Sequence, residues 1–116
     1  MGYPQNQIDE LKKYCDSVST LQEGGIVFLF LSNLCLPAGC SPTTCDALLC
    51  PVPREGYPSR LYFSALIVSS YTRNWNISNA RIGEKNWFAF SWKVDLNDPT
   101  LGQLLVAHLN GFTKEK

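Results

Sequence analysis

Residues 83–101, GEKNWFAFSWKVDLNDPTL, govern how the rest of the chain is interpreted. An aromatic run, WFAFSW at residues 87–92, is followed by the polar sequence DLNDP. That polar sequence predicts a helix start, because Asn97 or Asp98 can cap the first amides and the proline after them is tolerated in the first turn. Ser91 carries the hydroxyl of the aromatic run and lies where a packed segment gives way to a connection. Because such connections often carry chemistry, we interpret this stretch as the candidate active centre.

The composition restricts the class of protein. A chain of 116 residues with 45% hydrophobic and 17% charged residues suits one globular domain, predicted over residues 1–116. Ten basic residues balance ten acidic ones. A neutral chain has no long-range attraction for phosphate backbones or anionic lipids, so we expect neither a nucleic acid partner nor a membrane partner.

The N-terminal sequence and the cysteines predict a cytoplasmic chain. The first fifteen residues are polar, unlike a signal peptide, and the most apolar run, residues 26–31, is too short to cross a bilayer. Five cysteines, an odd number, indicate reduced thiols in the absence of a secretion signal. The last four recur every fifth residue without a nearby histidine, which is not a zinc spacing. We therefore expect no metal and no other cofactor.

Two segments have helical periodicity. Residues 4–19 carry one apolar stripe, which predicts a helix with Lys12 and Lys13 on its polar face. Residues 99–113 are predicted to form a closing helix. Its predicted buried stripe consists of Leu101, Leu104, Leu105, His108, Leu109 and Phe112.

Strands are predicted between these helices. Residues 26–36, 43–52 and 60–68 are apolar and rich in β-formers, and the first of them reads as buried on both faces. Residues 69–85 are polar without a period and predict a long loop, and residues 86–94 are either a short strand or an extended arm. The predicted class is α+β: N-terminal helix, three-stranded antiparallel β-meander, long loop and C-terminal helix, with the helices on one side of the sheet.

This order resembles that of the ubiquitin-conjugating-enzyme (UBC) superfamily. PREGYP at residues 53–58, followed by LYF at residues 61–63, resembles the YP turn of the family and the strand after it. Gly83, the aromatic run and the Asp-Pro pair resemble the Gly-x-x-Cys segment and the helix that follows it. LPAG at residues 36–39 is similar to a run in divergent bacterial members, which are encoded beside an activating enzyme, a ubiquitin-like protein and a JAB-type isopeptidase.

The resemblance implies a UBC-like fold and a conjugating activity. Such a protein accepts a ubiquitin-like protein from an activating enzyme and transfers it to a target, so both proteins are expected partners. The family nucleophile is a cysteine after the long loop, but here the last cysteine is Cys50 and Ser91 occupies that place. The implied intermediate is an oxyester on Ser91. Serine needs a neighbouring base, and Asp95 is the candidate that polarises Ser91 or orients the amine, unless it is a solvated loop acid.

Partner contacts follow from the same resemblance. Members of the family often meet the activating enzyme on the first helix, which makes Lys12 and Lys13 candidate partner-binding residues; otherwise they form a solvated face. Trp92 is a third candidate for partner binding. The remaining titratable groups near Ser91 in sequence are interpreted differently: Asp98 as a helix cap, and His108 as a core or groove histidine.

Two other functions stay open. The missing cysteine and the absence of the family's His-Pro-Asn signature favour a non-catalytic UBC variant that binds a ubiquitin-like protein or an activating enzyme. A small stress or structural domain, with all its aromatic residues in the core, is the third possibility.

Overall fold

A curled antiparallel sheet with two helices against it makes up the computed structural model, which describes residues 3–54, 56–69, 74–75 and 77–113. The fold is α+β, as predicted. In chain order, the described elements are helix α1 (Gln5–Leu11), strands β1 (Ser17–Glu23), β2 (Ile26–Cys35), β3 (Thr44–Cys50), β4 (Arg60–Phe63), β5 (Ile77–Ile82) and β6 (Lys85–Ala89), and helix α2 (Leu101–Leu109), which continues as a 3-10 turn (Asn110–Phe112).

The sheet has the order β1-β2-β3-β4-β6-β5, and all neighbouring strands are antiparallel. The first four strands form a meander. The chain then reaches the outer edge as β5 and returns as β6 beside β4, where Phe63 lies opposite Phe88. Two-residue turns with positive φ close both terminal hairpins: Gly24 and Gly25 join β1 to β2, and Gly83 and Glu84 join β5 to β6. These turns match the right-handed twist of the strands that they connect.

The predicted helix over residues 4–19 is wrong in its second half. The helix ends at Leu11, and residues 17–23 are an edge strand paired with β2 along its whole length. The apolar stripe nevertheless faces the core, because Leu11 is buried and Val18 packs against the same cluster. Pairing with β2 therefore prevails over the helical period, and it suits the β-branched Val18 and Thr20.

The predicted three-stranded meander and long loop are also corrected. The meander has four strands, and the third predicted strand ends at Phe63 rather than at residue 68. Residues 77–82, inside the predicted loop, form β5 and pair with β6. Residues 70–73 and 76 of that loop lie outside the described residues. Of the two alternatives predicted for residues 86–94, the short strand is found in the first part, as β6 (Lys85–Ala89), and an extended segment follows it.

Each face of the sheet has its own apolar cluster, which confirms that β2 is buried on both faces. Leu29 and Leu31 point into the cluster beneath the helices, whereas Phe28 belongs to the cluster on the other face. Alternation along the strands separates the two sets. The second cluster includes Leu48, Tyr62, Ile82, Trp87 and Ala89.

The sheet curls until its two edges meet. The backbone N–H of Gly83, in the β5–β6 turn, donates to the Glu23 carboxylate at the end of β1 over 2.9 Å. A Cβ atom on Gly83 would lie 2.6 Å from Cδ2 of Leu21, also in β1. The β5–β6 hairpin therefore covers the second cluster and closes on the first strand.

The closing helix carries the predicted apolar stripe, all six residues of which are buried. Its cap is not the predicted one. The Thr100 hydroxyl accepts from the Gln103 N–H over 3.2 Å, and the Gln103 side chain accepts from the Thr100 N–H over 2.9 Å, which together make a capping box. Asp98 lies two residues earlier with φ 53, and Pro99 precedes the cap. A third hydrogen bond at the helix start comes from α1: the Gln7 side-chain oxygen accepts from the N–H of Leu101, the first helical residue, over 3.0 Å.

Candidate active site

Ser91 lies on the extended segment between β6 and α2, two residues beyond the end of the strand. Its backbone N–H donates to the carbonyl of Asn74 over 2.7 Å, which fixes the segment. Its side chain is half-buried, and its Oγ lies 2.8 Å from the hydroxyl oxygen of Tyr57. Either hydroxyl can donate in this bond. Ser91 is therefore partly open to solvent and already bonded to a second hydroxyl.

Tyr57 is held by the tight turn whose sequence resembles the YP turn. Arg54 and Tyr57 exchange backbone hydrogen bonds of 2.9 and 3.0 Å. Gly56 has φ 85 in this turn, a conformation that residues with a Cβ rarely adopt. The backbone geometry of the turn thus fixes the position from which the Tyr57 side chain extends, and Pro58 restricts the backbone directly after it.

Arg60, the first residue of β4, packs against Tyr57 from below. Its guanidinium carbon lies 4.0 Å from the centre of the Tyr57 ring, within cation–π distance. Its Nη2 donates to the carbonyl of Phe90, the residue before Ser91, over 3.4 Å. The side chain is 2% exposed. One buried guanidinium therefore contacts both the ring of Tyr57 and the segment that carries Ser91.

The other candidate bases lie elsewhere. Asp95 and Asp98 are exposed, and among the described hydrogen bonds the Ser91 side chain is joined to Tyr57 and to neither of them. The role of Asp95 stays a prediction. His108 is a core histidine, one of the two roles predicted for it: its Nε2 lies 2.8 Å from the Ser59 hydroxyl. Burial first, and the nearby charge of Arg60 second, lower the pKa of His108 to about 4, so it is neutral near pH 7.

A cleft of about 230 Å³ opens beside the Ser91 segment. Prolines and leucines form most of its wall, the Ser59 hydroxyl and Asp98 add polar groups, and Leu96 at 48% exposure lies in solvent at its side. More of the exposed lining is polar than apolar, so the cleft suits a chain segment that brings hydrogen-bonding groups. The residues that line it are Pro51, Pro58, Ser59, Val94, Leu96, Asp98, Pro99, Leu101 and Leu104.

The predicted partner-binding residues are distributed over two places. Lys12 and Lys13 are exposed just after α1, and Lys12 is paired with Asp9 over 3.4 Å. Trp92 is half-buried, and its indole N–H donates to the carbonyl of Ala107 in α2 over 3.1 Å. Much of the Trp92 ring therefore packs against the closing helix. Binding of a partner by these three residues stays a prediction.

The cysteines are free thiols, and three of them, Cys40, Cys45 and Cys50, are buried. Burial raises the pKa of Cys15 and of Cys40, which disfavours the nucleophilic thiolate. In the described ranges, no three His, Cys, Asp or Glu side chains are grouped so that they could hold a metal ion. Neither helix of those ranges has the length and apolar character needed to cross a membrane.

Tyr57 is the site residue that sequence reasoning missed. It lies 34 positions before Ser91, and the sheet brings the two together. The signal is present in the Gly-Tyr-Pro sequence, but a resemblance to a family turn does not make its tyrosine part of the site. Comparisons with protein-family models, with curated proteins and with solved structures find no match to this chain.

Proposed function

We propose that this chain is a UBC-like acyl carrier, which accepts the C-terminal acyl group of a ubiquitin-like protein on Ser91 as an oxyester and passes it to an amine. The observation that carries the proposal is the 2.8 Å contact between Ser91 Oγ and the Tyr57 hydroxyl. It joins the two segments on which the resemblance rests, the Tyr-Pro turn and the aromatic run. The activating enzyme and the ubiquitin-like protein are the proposed partners, and the free thiols are in keeping with a proposed cytoplasmic setting.

The geometry around Ser91 suits acyl transfer in two respects. The hydroxyl is half-buried, so an acyl donor can reach it while part of its surroundings excludes water. The neighbouring cleft, whose lining includes Pro58, Ser59 and Val94, offers a surface of mixed polarity to an extended chain tail or to the acceptor. Serine replaces the usual cysteine, so the adduct is an oxyester, which resists thiols and is cleaved by alkali.

A charging assay tests this function. The chain is incubated with ATP and with the two proposed partners, a ubiquitin-like protein and its activating enzyme. The wild type is expected to form a thiol-resistant adduct that Ser91→Ala does not form, and Ser91→Cys is expected to form a thiol-sensitive one. Ser19→Ala, which removes an exposed hydroxyl of β1, is the matched control and should charge normally. An adduct that persists in Ser91→Ala refutes the assignment.

The same contact also favours a second candidate, the non-catalytic UBC variant. In this variant the Ser91 hydroxyl has a structural role alone: its bond to Tyr57 holds the Tyr-Pro turn against the segment before α2. That role predicts a stable complex with the ubiquitin-like protein or the activating enzyme and no covalent species in mass spectrometry. An adduct mapped to Ser91 would exclude it.

A further inference from the structure

We propose that Tyr57 is the catalytic base of this site, accepting the Ser91 proton when the hydroxyl attacks an acyl group. The inference rests on the proposed function, since it names the group that makes a serine usable there. It starts from geometry: the two hydroxyl oxygens are 2.8 Å apart, the distance over which a proton passes directly.

The chemistry of a phenol suits a serine better than that of a carboxylate. Ordinary phenols are weaker acids than carboxylic acids by about six pKa units, so a phenolate is the stronger base. A serine hydroxyl releases its proton reluctantly and therefore gains more from the stronger base. Asp95 is exposed in solvent, and the described hydrogen bond of the Ser91 side chain goes to Tyr57 instead.

The other basic group of the neighbourhood has a different partner. His108 is 4% exposed, and its Nε2 is engaged with Ser59. Its pKa of about 4 also makes it a poor proton acceptor near pH 7. His108 also belongs to another element, helix α2, whereas Tyr57 lies on the turn before β4. Among these groups, Tyr57 is the one in contact with Ser91 Oγ.

Arg60 holds the Tyr57 ring in this orientation. Its guanidinium lies against the ring face at 4.0 Å and donates to the carbonyl of Phe90, so the phenol and the Ser91 segment are fixed to one group. The arrangement is set before any substrate arrives, which favours catalysis.

The proton and electron balance of the step is simple. Tyr57 first releases its proton to water. Ser91 Oγ forms a bond to the carbonyl carbon of the donor thioester while its proton passes to the Tyr57 oxygen, and the thiolate leaves with the electron pair of the broken C–S bond. When an amine attacks the oxyester, Oγ departs and regains a proton from Tyr57. The resulting phenolate takes the proton that the amine nitrogen releases.

A double-mutant cycle tests the role, with p-nitrophenyl acetate as the acyl donor. The four proteins are wild type, Tyr57→Phe, Ser91→Cys and the double variant. Acetylation of residue 91 is followed by peptide mass spectrometry, which separates it from acetylated lysines. Tyr57→Phe should slow acetylation of Ser91 about 100-fold, the usual lower range for a general base. In the Ser91→Cys background the same change should alter the rate less than about 3-fold, because a thiolate forms without the phenol.

Tyr57→Phe keeps the ring on which Arg60 packs, and circular dichroism and thermal unfolding check that the fold is retained. Equal losses in both backgrounds would assign Tyr57 a structural role and overturn the inference. It is equally overturned if Tyr57→Phe leaves Ser91 acetylation unchanged, or if Ser91 is not acetylated in the wild type. The charging assay tests the proposed function separately. If Tyr57→Phe charges at the wild-type rate, the role of Tyr57 as base is refuted and the carrier function is not. If Ser91→Ala still forms an adduct, the carrier function of Ser91 is refuted.

Discussion

His108 shows at the scale of a single residue how a position on an apolar stripe is occupied by a polar group. The imidazole is buried with the Ser59 hydroxyl, which satisfies Nε2 inside the core. Burial and the charge of Arg60 lower its pKa and keep it neutral. The neutral form is therefore part of the folded state, which links the stability of the molecule to pH.

The direction of this linkage can be predicted. The pKa of His108 is about 4 in the folded chain against an ordinary value of 6.5, so the unfolded chain binds the proton first as pH falls. Stability from this group is complete above pH 6.5 and is lost as pH falls towards 4. Between pH 7 and pH 5 the free energy of unfolding should decrease by about 2 kcal/mol through this group. Urea unfolding at pH 7 and at pH 5 measures this decrease, and the free energy of unfolding of His108→Gln should change less between the two pH values. Equal pH dependence in both proteins would contradict it.

The role of a single residue can be predicted from the sequence only where its position along the chain is enough to identify it. The place of Ser91 between the aromatic run and the closing helix singles it out, and the structure puts its hydroxyl in a hydrogen-bonded, half-open position. Sequence spacing points to Asp95, four residues away, as its partner. The actual contact spans 34 residues and depends on how β6 returns beside β4, which no local spacing encodes.

At the scale of elements, the start of α2 supplies a test of local coding. Thr100 and Gln103 form the capping box, whereas Asn97 is exposed before it. Thr100→Ala should lower the free energy of unfolding by about 1 kcal/mol, because a helix amide loses its acceptor. Asn97→Ala is the matched control and should change it by less than about 0.5 kcal/mol. Chemical denaturation measures the free energy of unfolding of both variants. An equal loss in Asn97→Ala would indicate that Asn97, the cap predicted from the sequence, also caps the helix.

The elements that the sequence predicts correctly have strong local signals. β2 has an unbroken apolar run, and the stripe of α2 repeats with the helical period. The threonine and glutamine of the capping box are readable too, but the Asn-Asp-Pro sequence before them is the more conspicuous helix-start signal. The prediction for residues 17–23 fails for another reason: their spacing fits a helix, and the ladder with β2 prevails over it.

At the scale of the whole molecule, closure of the sheet is the property that the sequence conceals. The contact of the β5–β6 turn with β1 joins residues 60 positions apart, such as Glu23 and Gly83. Because the sequence predicts a loop where β5 lies, it offers no hairpin to cover a second apolar cluster. The sequence predicts that β2 is buried on both faces but places helices on one side of the sheet, so it does not say what covers the apolar cluster on the opposite face.

Two glycines with nearly the same φ angle allow the contact between the sheet edges to be measured. At Gly24, φ 60, the methyl group of an alanine would have no heavy atom within 4 Å, whereas at Gly83, φ 59, that methyl would meet Leu21 at 2.6 Å. Gly24→Ala should lower the free energy of unfolding by about 1 kcal/mol through backbone strain alone. Gly83→Ala should lower it by about 0.5 kcal/mol more, because the end of the flexible Leu21 side chain must shift to another position. Equal losses in urea unfolding would show that the Leu21 side chain does not restrain the β5–β6 turn.

The pairing between β4 and β6 fixes where the Ser91 segment leaves the sheet. Phe63 of β4 lies opposite Phe88 of β6, and its ring stacks on that of Phe90, the residue before Ser91, with the ring centres 6.1 Å apart. Phe63 is fully buried, so this pairing is part of the core. Under the proposed function, an acyl group on Ser91 would therefore be carried at a fixed position beside the sheet.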